Sequence, residues 1–297
     1  ADIAHLILSR SPVLTDAELV DMVGGGYERV RISIASRPQV SIGISAAIAE
    51  VAGPDACVAL LDNPGASITV SALKRMVERH RHDAAVRNAL LDRPELPVTL
   101  RQKLIDGLSE ALGELVAFHD WLPPERVEKV MSDARDKAVI DLALTCEPAR
   151  LRTLIEMLAA EKRITPALMI RALCQGNIQF FEDALSVMSG TPVRRVLALL
   201  DDRSGRGLAA LYRRAKLPVA SLPALRAVVA VLHQEAADGT WRTQMRMGRT
   251  MIERALTLHQ SFTSGEVDEF FALLGRLAAD AARDEVRDET GGYFRAA

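Results

Sequence analysis

TPALMIRALCQGNIQFFEDALSVMSGTPVRRVLALLDDRSGRGLAALYRRAKLP, residues 165–218, decides the fold. Thr165-Pro166 and Thr191-Pro192 read as one signal given twice, 26 residues apart. A threonine side chain satisfies free amides at a helix start, and proline suits the first helical position, where its missing N–H costs nothing. The first helix should close at Gly176, because a residue tolerant of positive φ ends a helix cheaply. Asn177 then caps a second helix that runs to Gly190. Phe181, Ala184, Leu185 and Met188 share one face of it, and Phe180, Ala184 and Val187 line an adjacent one. A helix apolar on two sides is held between neighbours. Val193, Val196, Leu197 and Leu200 form the stripe of a third helix, and Leu208, Leu211, Tyr212 and Ala215 that of a fourth. Pro218 stands 26 residues after Pro192.

Outside this stretch the repeat becomes explicit. Leu60-Leu61-Asp62-Asn63-Pro64 with Ile68-Thr69 matches Leu90-Leu91-Asp92-Arg93-Pro94 with Val98-Thr99. Ser36-Arg37-Pro38 with Ile42 is a looser copy, and Pro12 looser still. Pro123-Pro124 and Pro148 extend the series. Each proline is expected to interrupt one helix and start the next, so that every unit is a helix hairpin. A single hairpin cannot bury its apolar face alone, so stability must come from stacking.

The runs Arg171-Ala172-Leu173-Cys174-Gln175-Gly176, Phe180-Phe181-Glu182-Asp183-Ala184-Leu185 and Gly207-Leu208-Ala209-Ala210-Leu211-Tyr212-Arg213-Arg214-Ala215-Lys216-Leu217-Pro218 resemble the bacterial domain of unknown function 2336. The resemblance is specific over about 165–225 and extends into the proline-punctuated segment before it. It implies an all-helical, HEAT-like protein found mainly in alphaproteobacteria, and it implies no activity. With the periodicity, it leads us to expect an all-α chain. Residues 1–147 should form an α-solenoid of stacked HEAT-like helix hairpins. Residues 148–297 should form a C-terminal helical domain, a bundle being one form it can take. The boundary follows a charge shift and a shortened proline spacing.

Thr15-Asp16-Ala17-Glu18 reads as a capping box behind a short helix over 2–9, and Gly24-Gly25-Gly26 as its helix's stop. Longer helices are expected at about 97–117 and 124–145. In the second, Val127, Val130, Met131, Ala134, Ala138 and Val139 supply the inner face. Further helices follow over 147–160 and 221–237. Trp241 to His259 reads as one helix with Arg242, Arg246 and Arg249 as a side stripe. Thr263 with Glu266 reads as a second capping box, opening a helix to about 287 and a frayed tail.

Apolar residues make up 49% of the 297, yet aromatics only 4%, so alanine and leucine carry the interior, as close helix packing requires. The three cysteines, Cys57, Cys146 and Cys174, are odd in number and sit in helical patterns, which points to reduced thiols in a cytoplasmic protein. No apolar run reaches the roughly 18 residues of a membrane span, and no signal peptide is visible at the amino terminus. The net charge of −2 is unevenly spread: residues 1–149 carry −6 and 150–297 carry +4, with +7 inside 191–254 alone.

That basic segment supplies the candidate ligand-binding residues, Arg194, Arg195, Arg206, Arg213, Arg214, Arg242 and Arg246. Ser204-Gly205-Arg206-Gly207 precedes a helix, and successive amides at such a turn can cradle an anion. An ordinary interhelical turn explains the same residues, and the Gly-Lys-Ser/Thr ending of a phosphate-binding loop is missing. Arg242 and Arg246 lie one turn apart and can grip a phosphate bidentately; a solvated arginine face is the plainer account. His80-Arg81-His82-Asp83 marks a helix end, since histidines two apart on a helix diverge. His119-Asp120 lacks a third partner. Cys174 and Trp241 read as core residues, and His259 as a satisfied interior imidazole. No catalytic, metal or cofactor motif is present, so no catalytic residue, metal ligand or cofactor is assigned.

Two functions of different class remain. The first is a non-enzymatic helical-repeat scaffold that binds a protein partner in bacterial signalling or regulation. The second is a sensor of an anionic small molecule, a nucleotide or cyclic dinucleotide, held by the arginines of 191–254. Nucleic-acid binding, by analogy with HEAT-like DNA glycosylases, is disfavoured by the net charge and the scarcity of aromatics.

Overall fold

The computed structural model describes residues 2–118, 123–235, 247–262 and 268–293. Among the described residues it is all-α, with seventeen α-helices and no strand. No helix among them is long and apolar enough to cross a membrane. The chain divides into two compact units, Ala1–Arg135 and Asp136–Ala297.

In the first unit, α1 (Asp2–Arg10), α2 (Asp16–Gly25), α3 (Glu28–Ala35), α4 (Ile42–Val51), α5 (Pro54–Leu61), α6 (Val70–His80) and α7 (Ala84–Asp92) are short, and α8 (Val98–Phe118) is long. Helices of two to three turns are not stable alone in water, and these are held by their neighbours. α1, α3, α5 and α7 pack one on the next as a layer, α2, α4, α6 and α8 as another, and α2–α3, α4–α5 and α6–α7 join the layers. Between them lie Val23, Ile34, Ile48, Cys57, Leu60, Met76 and Leu90, all fully buried.

α2, α4 and α6 carry their own caps. Thr15 and Glu18 form the expected reciprocal box, Ser41 accepts from the Ile44 amide, and Thr69 from the Ala72 amide. The prolines do something different from what the sequence suggests. Pro38, Pro64 and Pro94 do not start helices; they sit in the connections, and α4, α6 and α8 begin several residues later. Those residues are used to lay one connection against another. The Val40 amide donates to the Gly65 carbonyl at 3.1 Å, and the Ser67 amide to the Val40 carbonyl at 2.9 Å.

The residue before each proline extends this into a ladder. Arg37 donates to the carbonyls of Leu8 (2.6 Å) and Ser11 (2.7 Å). Asn63 donates to those of Ala35 and Arg37, both at 2.7 Å. Arg93 donates to Asn63 at 3.0 Å and Leu60 at 3.4 Å. Helix C-termini leave four carbonyls unpaired, so each repeat's donor caps the one before it. The series closes on Arg101, from α8 itself, which donates to Leu91 and Arg93.

α9 (Pro124–Leu144) buries Val127, Val139, Ile140 and Ala143, whereas Val130 is 51% exposed and Ala134 is also exposed. The expected inner face is therefore wrong at those two positions: the buried residues follow a stripe that passes beside them.

In the second unit, α10 (Pro148–Ala160), α11 (Pro166–Cys174), α12 (Ile178–Ser189), α13 (Val193–Leu200) and α14 (Arg206–Arg214) are followed by a 3-10 turn (Val219–Ser221), α15 (Leu222–Glu235), α16 (Arg249–Phe262) and α17 (Asp268–Tyr293). α12 is enclosed by α10, α11, α13 and α14, with Phe180 and Phe181 fully buried, as its two apolar faces require. Thr165 caps α11 with Pro166 in its first turn, Asn177 caps α12, and Gly190 closes it at φ +60°.

Three details differ from expectation. Pro192, not Thr191, occupies the cap position of α13, which has no side-chain cap. Met247 and Gly248 are not helical, so α16 starts at Arg249; the Met247 amide is taken by the Cys174 carbonyl at 2.8 Å, and glycine is a poor helix former. α17 continues to Tyr293, past the expected end near 287. The Thr263–Glu266 capping box lies outside the described residues.

Candidate functional site

The arginines of the basic segment belong to the α13–α14 hairpin. Val196 and Leu200 of α13, and Leu208, Leu211 and Tyr212 of α14, are buried. Helical phase then turns Arg194, Arg195, Arg206, Arg213 and Arg214 outward, and all five are exposed. Two contacts fix the direction of the hairpin. The start of α14 abuts the end of α13, where a Cβ on Gly207 would lie 2.0 Å from the Leu199 carbonyl oxygen. The end of α14 abuts the residues leading into α13, where Arg214 Nε donates to the Ser189 carbonyl at 2.7 Å. Arg194, Arg195, Arg213 and Arg214 therefore share one end. Arg206 sits at the other, seven residues or about 10 Å along α14 from Arg213. Arg242 and Arg246 lie outside the described residues.

The turn at the Arg206 end is filled from within. Asp202 accepts from the Ser204 amide (3.0 Å), the Ser204 hydroxyl (2.7 Å) and the Gly207 amide (3.3 Å), and Ser204 Oγ accepts from the Arg206 amide at 3.3 Å. Amides that an anion would need are thus occupied by a carboxylate of the same chain. The hydroxyl and amide of Ser204 hold that carboxylate below its ordinary range. Gly205 takes φ +70°, and the Arg226 guanidinium crosses it so closely that a Cβ there would lie 3.0 Å from Nε.

Beside this turn is a cavity of about 110 Å³ lined by Arg203, Arg226, His233, Leu208 and Val229, with Asp202 at its wall. The sequence reading missed Arg203, Arg226 and His233. Arg203 belongs to the quoted turn, but Arg226 and His233 come from α15, and no local motif links them to it.

The remaining candidates are structural. His80 ends α6 with Nε2 3.3 Å from the Ala52 carbonyl, and Asp83 caps α7. Burial pushes the Cys57 thiol up to about 11 and the Cys174 thiol to about 12. His259 is buried, and that burial lowers its pKa against the opposing Pro223 carbonyl. Among the described residues no three His, Cys, Asp or Glu side chains gather as a metal site. His119, Asp120 and Trp241 lie outside the described residues.

Layered short helices, with no β-sheet among the described residues, define an all-α protein. Residues 3–265 match the model of a family of uncharacterised proteins conserved in bacteria, domain of unknown function 2336, and the chain belongs to that family. No curated protein and no solved structure matches it.

Proposed function

We propose that the chain is a non-enzymatic, cytoplasmic interaction module, an α-solenoid of HEAT-like helix hairpins that binds a protein partner in bacterial signalling or regulation. The observation that carries this reading is on α8. Leu100 and Leu104 are buried in the core of the first unit, but Leu108, Leu112 and Leu115 are 38%, 45% and 48% exposed. They fall at i, i+4 and i+7, on one face. Scattered surface leucines need no explanation, whereas three aligned on one helix make a contact surface. Crosslinking in the native host, followed by reconstitution with the purified partner, tests it. Leu112→Asp should weaken that complex by about tenfold or more, as loss of an apolar anchor does; a chain that forms no complex at any salt refutes the module.

The alternative, a sensor of a nucleotide or cyclic dinucleotide, draws support from Arg194, Arg195, Arg213 and Arg214, which form no ion pair among the described residues. Nucleotides at millimolar concentration should then raise the melting temperature, because a ligand that binds only the folded state stabilises it. No shift with any nucleotide ends that reading.

A further inference from the structure

We propose that the end of the α13–α14 hairpin bearing Arg194, Arg195, Arg213 and Arg214 docks an acidic peptide segment of the partner protein. This inference rests on the interaction-module reading and names where, and by what chemistry, the partner is held.

Several arginines elsewhere are paired within the chain, and the unpaired ones of the first unit, such as Arg10, Arg29 and Arg126, are scattered along the sequence rather than grouped at one hairpin end. Arg75 pairs with Glu50 at 2.7 Å, Arg93 with Glu95 at 3.0 Å, Arg152 with Glu156 at 2.8 Å, and Arg249 with Glu253 at 2.7 Å. At this end of the hairpin no ion pair is formed among the described residues, although four guanidinium groups are exposed there. Lys216 follows immediately, exposed, at φ +57°. The opposite end of the same hairpin carries Arg203 and Arg206 together with Asp201 and Asp202, so the acid-free end is a local property and not one of the whole segment.

Stability does not explain this placement. Arg194 and Arg195 lie in the first turn of α13, where the helix dipole disfavours cations, and no side-chain cap offsets them. Acidic residues are the usual choice there. A fold that accepts like charges against a dipole presents a field that an anionic partner relieves. Arg214 is also held in place, with Nε on the Ser189 carbonyl, which leaves its outer donors oriented. Oriented guanidinium groups match carboxylates bidentately, and a point charge does not.

A carboxylate-bearing peptide fits better than nucleic acid. The cations occupy one end of one hairpin, whereas a duplex needs a track of phosphate contacts. Tyr212 of α14 is fully buried and offers no face for a base. Val219, 69% exposed three residues after Lys216, supplies an apolar contact beside the charges.

The test uses the full chain and a fluorescein-labelled peptide of four Glu-Glu-Leu triplets, by fluorescence anisotropy at low and at high salt. Binding should weaken with salt, because the contacts are exposed. Arg194→Gln/Arg195→Gln/Arg213→Gln should lower affinity by about tenfold or more. Arg10→Gln/Arg29→Gln/Arg126→Gln, which removes the same charge from exposed positions of the first unit, should leave it within about twofold. Unchanged melting temperatures confirm that both variants are folded. Equal losses in both variants, or none in either, overturn the inference. So does tighter binding of a 20-base-pair duplex, or of phosphatidylglycerol vesicles, with the same sensitivity to the first variant. A reconstituted partner that binds but ignores the first variant sinks this inference and leaves the module reading standing; no partner and no peptide bound sinks both.

Discussion

Replacing Asn63 by alanine tests whether the first unit is held by its connections as well as by its core. Asn63 makes three hydrogen bonds from one side chain. Its Nδ2 donates to the carbonyls of Ala35 and Arg37, both at 2.7 Å, and its Oδ1 accepts from the Gly65 amide at 2.9 Å. Each such bond contributes about 1 kcal/mol net. The site is half-buried, so water recovers part of that loss, and the expected cost is about 2–3 kcal/mol. For a unit of this size that lowers its melting temperature by about 6–10 °C. Thermal melting followed by circular dichroism at 222 nm measures the shift, and amide exchange read by mass spectrometry localises it. Exchange should rise in peptides covering 34–40 and 60–68, because local opening tracks the contacts that close those turns. Asn63→Asp sharpens the test: it keeps the acceptor for Gly65 but sets a carboxylate against two carbonyls. It should destabilise at least as much at neutral pH, and recover partly below about pH 4, where a protonated carboxyl can donate once. A shift under about 2 °C for Asn63→Ala, with unchanged exchange over 34–40, refutes the ladder as a stabilising device.

Three more outcomes follow from the geometry. Gly65→Ala and Gly207→Ala should destabilise strongly, since a Cβ would lie 1.9 Å from the Pro38 carbonyl oxygen and 2.0 Å from that of Leu199; Gly24→Ala, with nothing within 4 Å, should be neutral or stabilising in the same melts. Cys57 and Cys174, with thiols pushed to about 11 and about 12, should resist iodoacetamide at pH 8 in the folded chain, and half-exposed Cys146 should label first by mass spectrometry. Burial holds His259 below its ordinary 6.5, so the fold favours the neutral ring. Its contribution is complete above 6.5 and is lost as pH falls below that, so melting at pH 5 should drop further for the native chain than for His259→Phe.

Local chemistry was readable where one residue settles one terminus. The Thr15–Glu18 box, the Asn177 cap and the left-handed Gly190 each act within a few residues, and each stands where the sequence places it. Pro38, Pro64 and Pro94 were read correctly as interruptions and wrongly as helix starts, because the missing N–H of a proline is tolerated equally in a connection, whereas Pro124, Pro148 and Pro166 do open α9, α10 and α11. The ladder escaped notice because its members differ in type. Arg37, Asn63 and Arg93 share only donors that reach backward, and their carbonyl partners carry no sequence identity. Asp202 was passed over beside the glycines it organises: an internal carboxylate and an external anion satisfy the same amides, and spacing cannot tell them apart. Among the arginines, nearness in sequence grouped Arg206 with Arg213, whereas the antiparallel hairpin sets them at opposite ends.

The exposed leucines of α8 follow from the same device coming to a stop. α6, against which α8 packs, has 11 residues and α8 has 21; at 1.5 Å per residue these are about 16 Å and 31 Å. The shorter helix covers only the first half of the longer one, where Leu100 and Leu104 are buried, and Leu108, Leu112 and Leu115 lie beyond its reach. Among the described residues the ladder ends at the same place: Arg101, on α8 itself, takes the carbonyls of Leu91 and Arg93. A repeat array must either cap its last apolar face with polar residues or leave it to something else. Three leucines in register are not a polar cap. Leu108→Lys/Leu112→Lys/Leu115→Lys should therefore leave the melting temperature of the chain unchanged while abolishing its partner complex, and a variant that instead loses its fold would show that these side chains belong to the core and not to a binding surface.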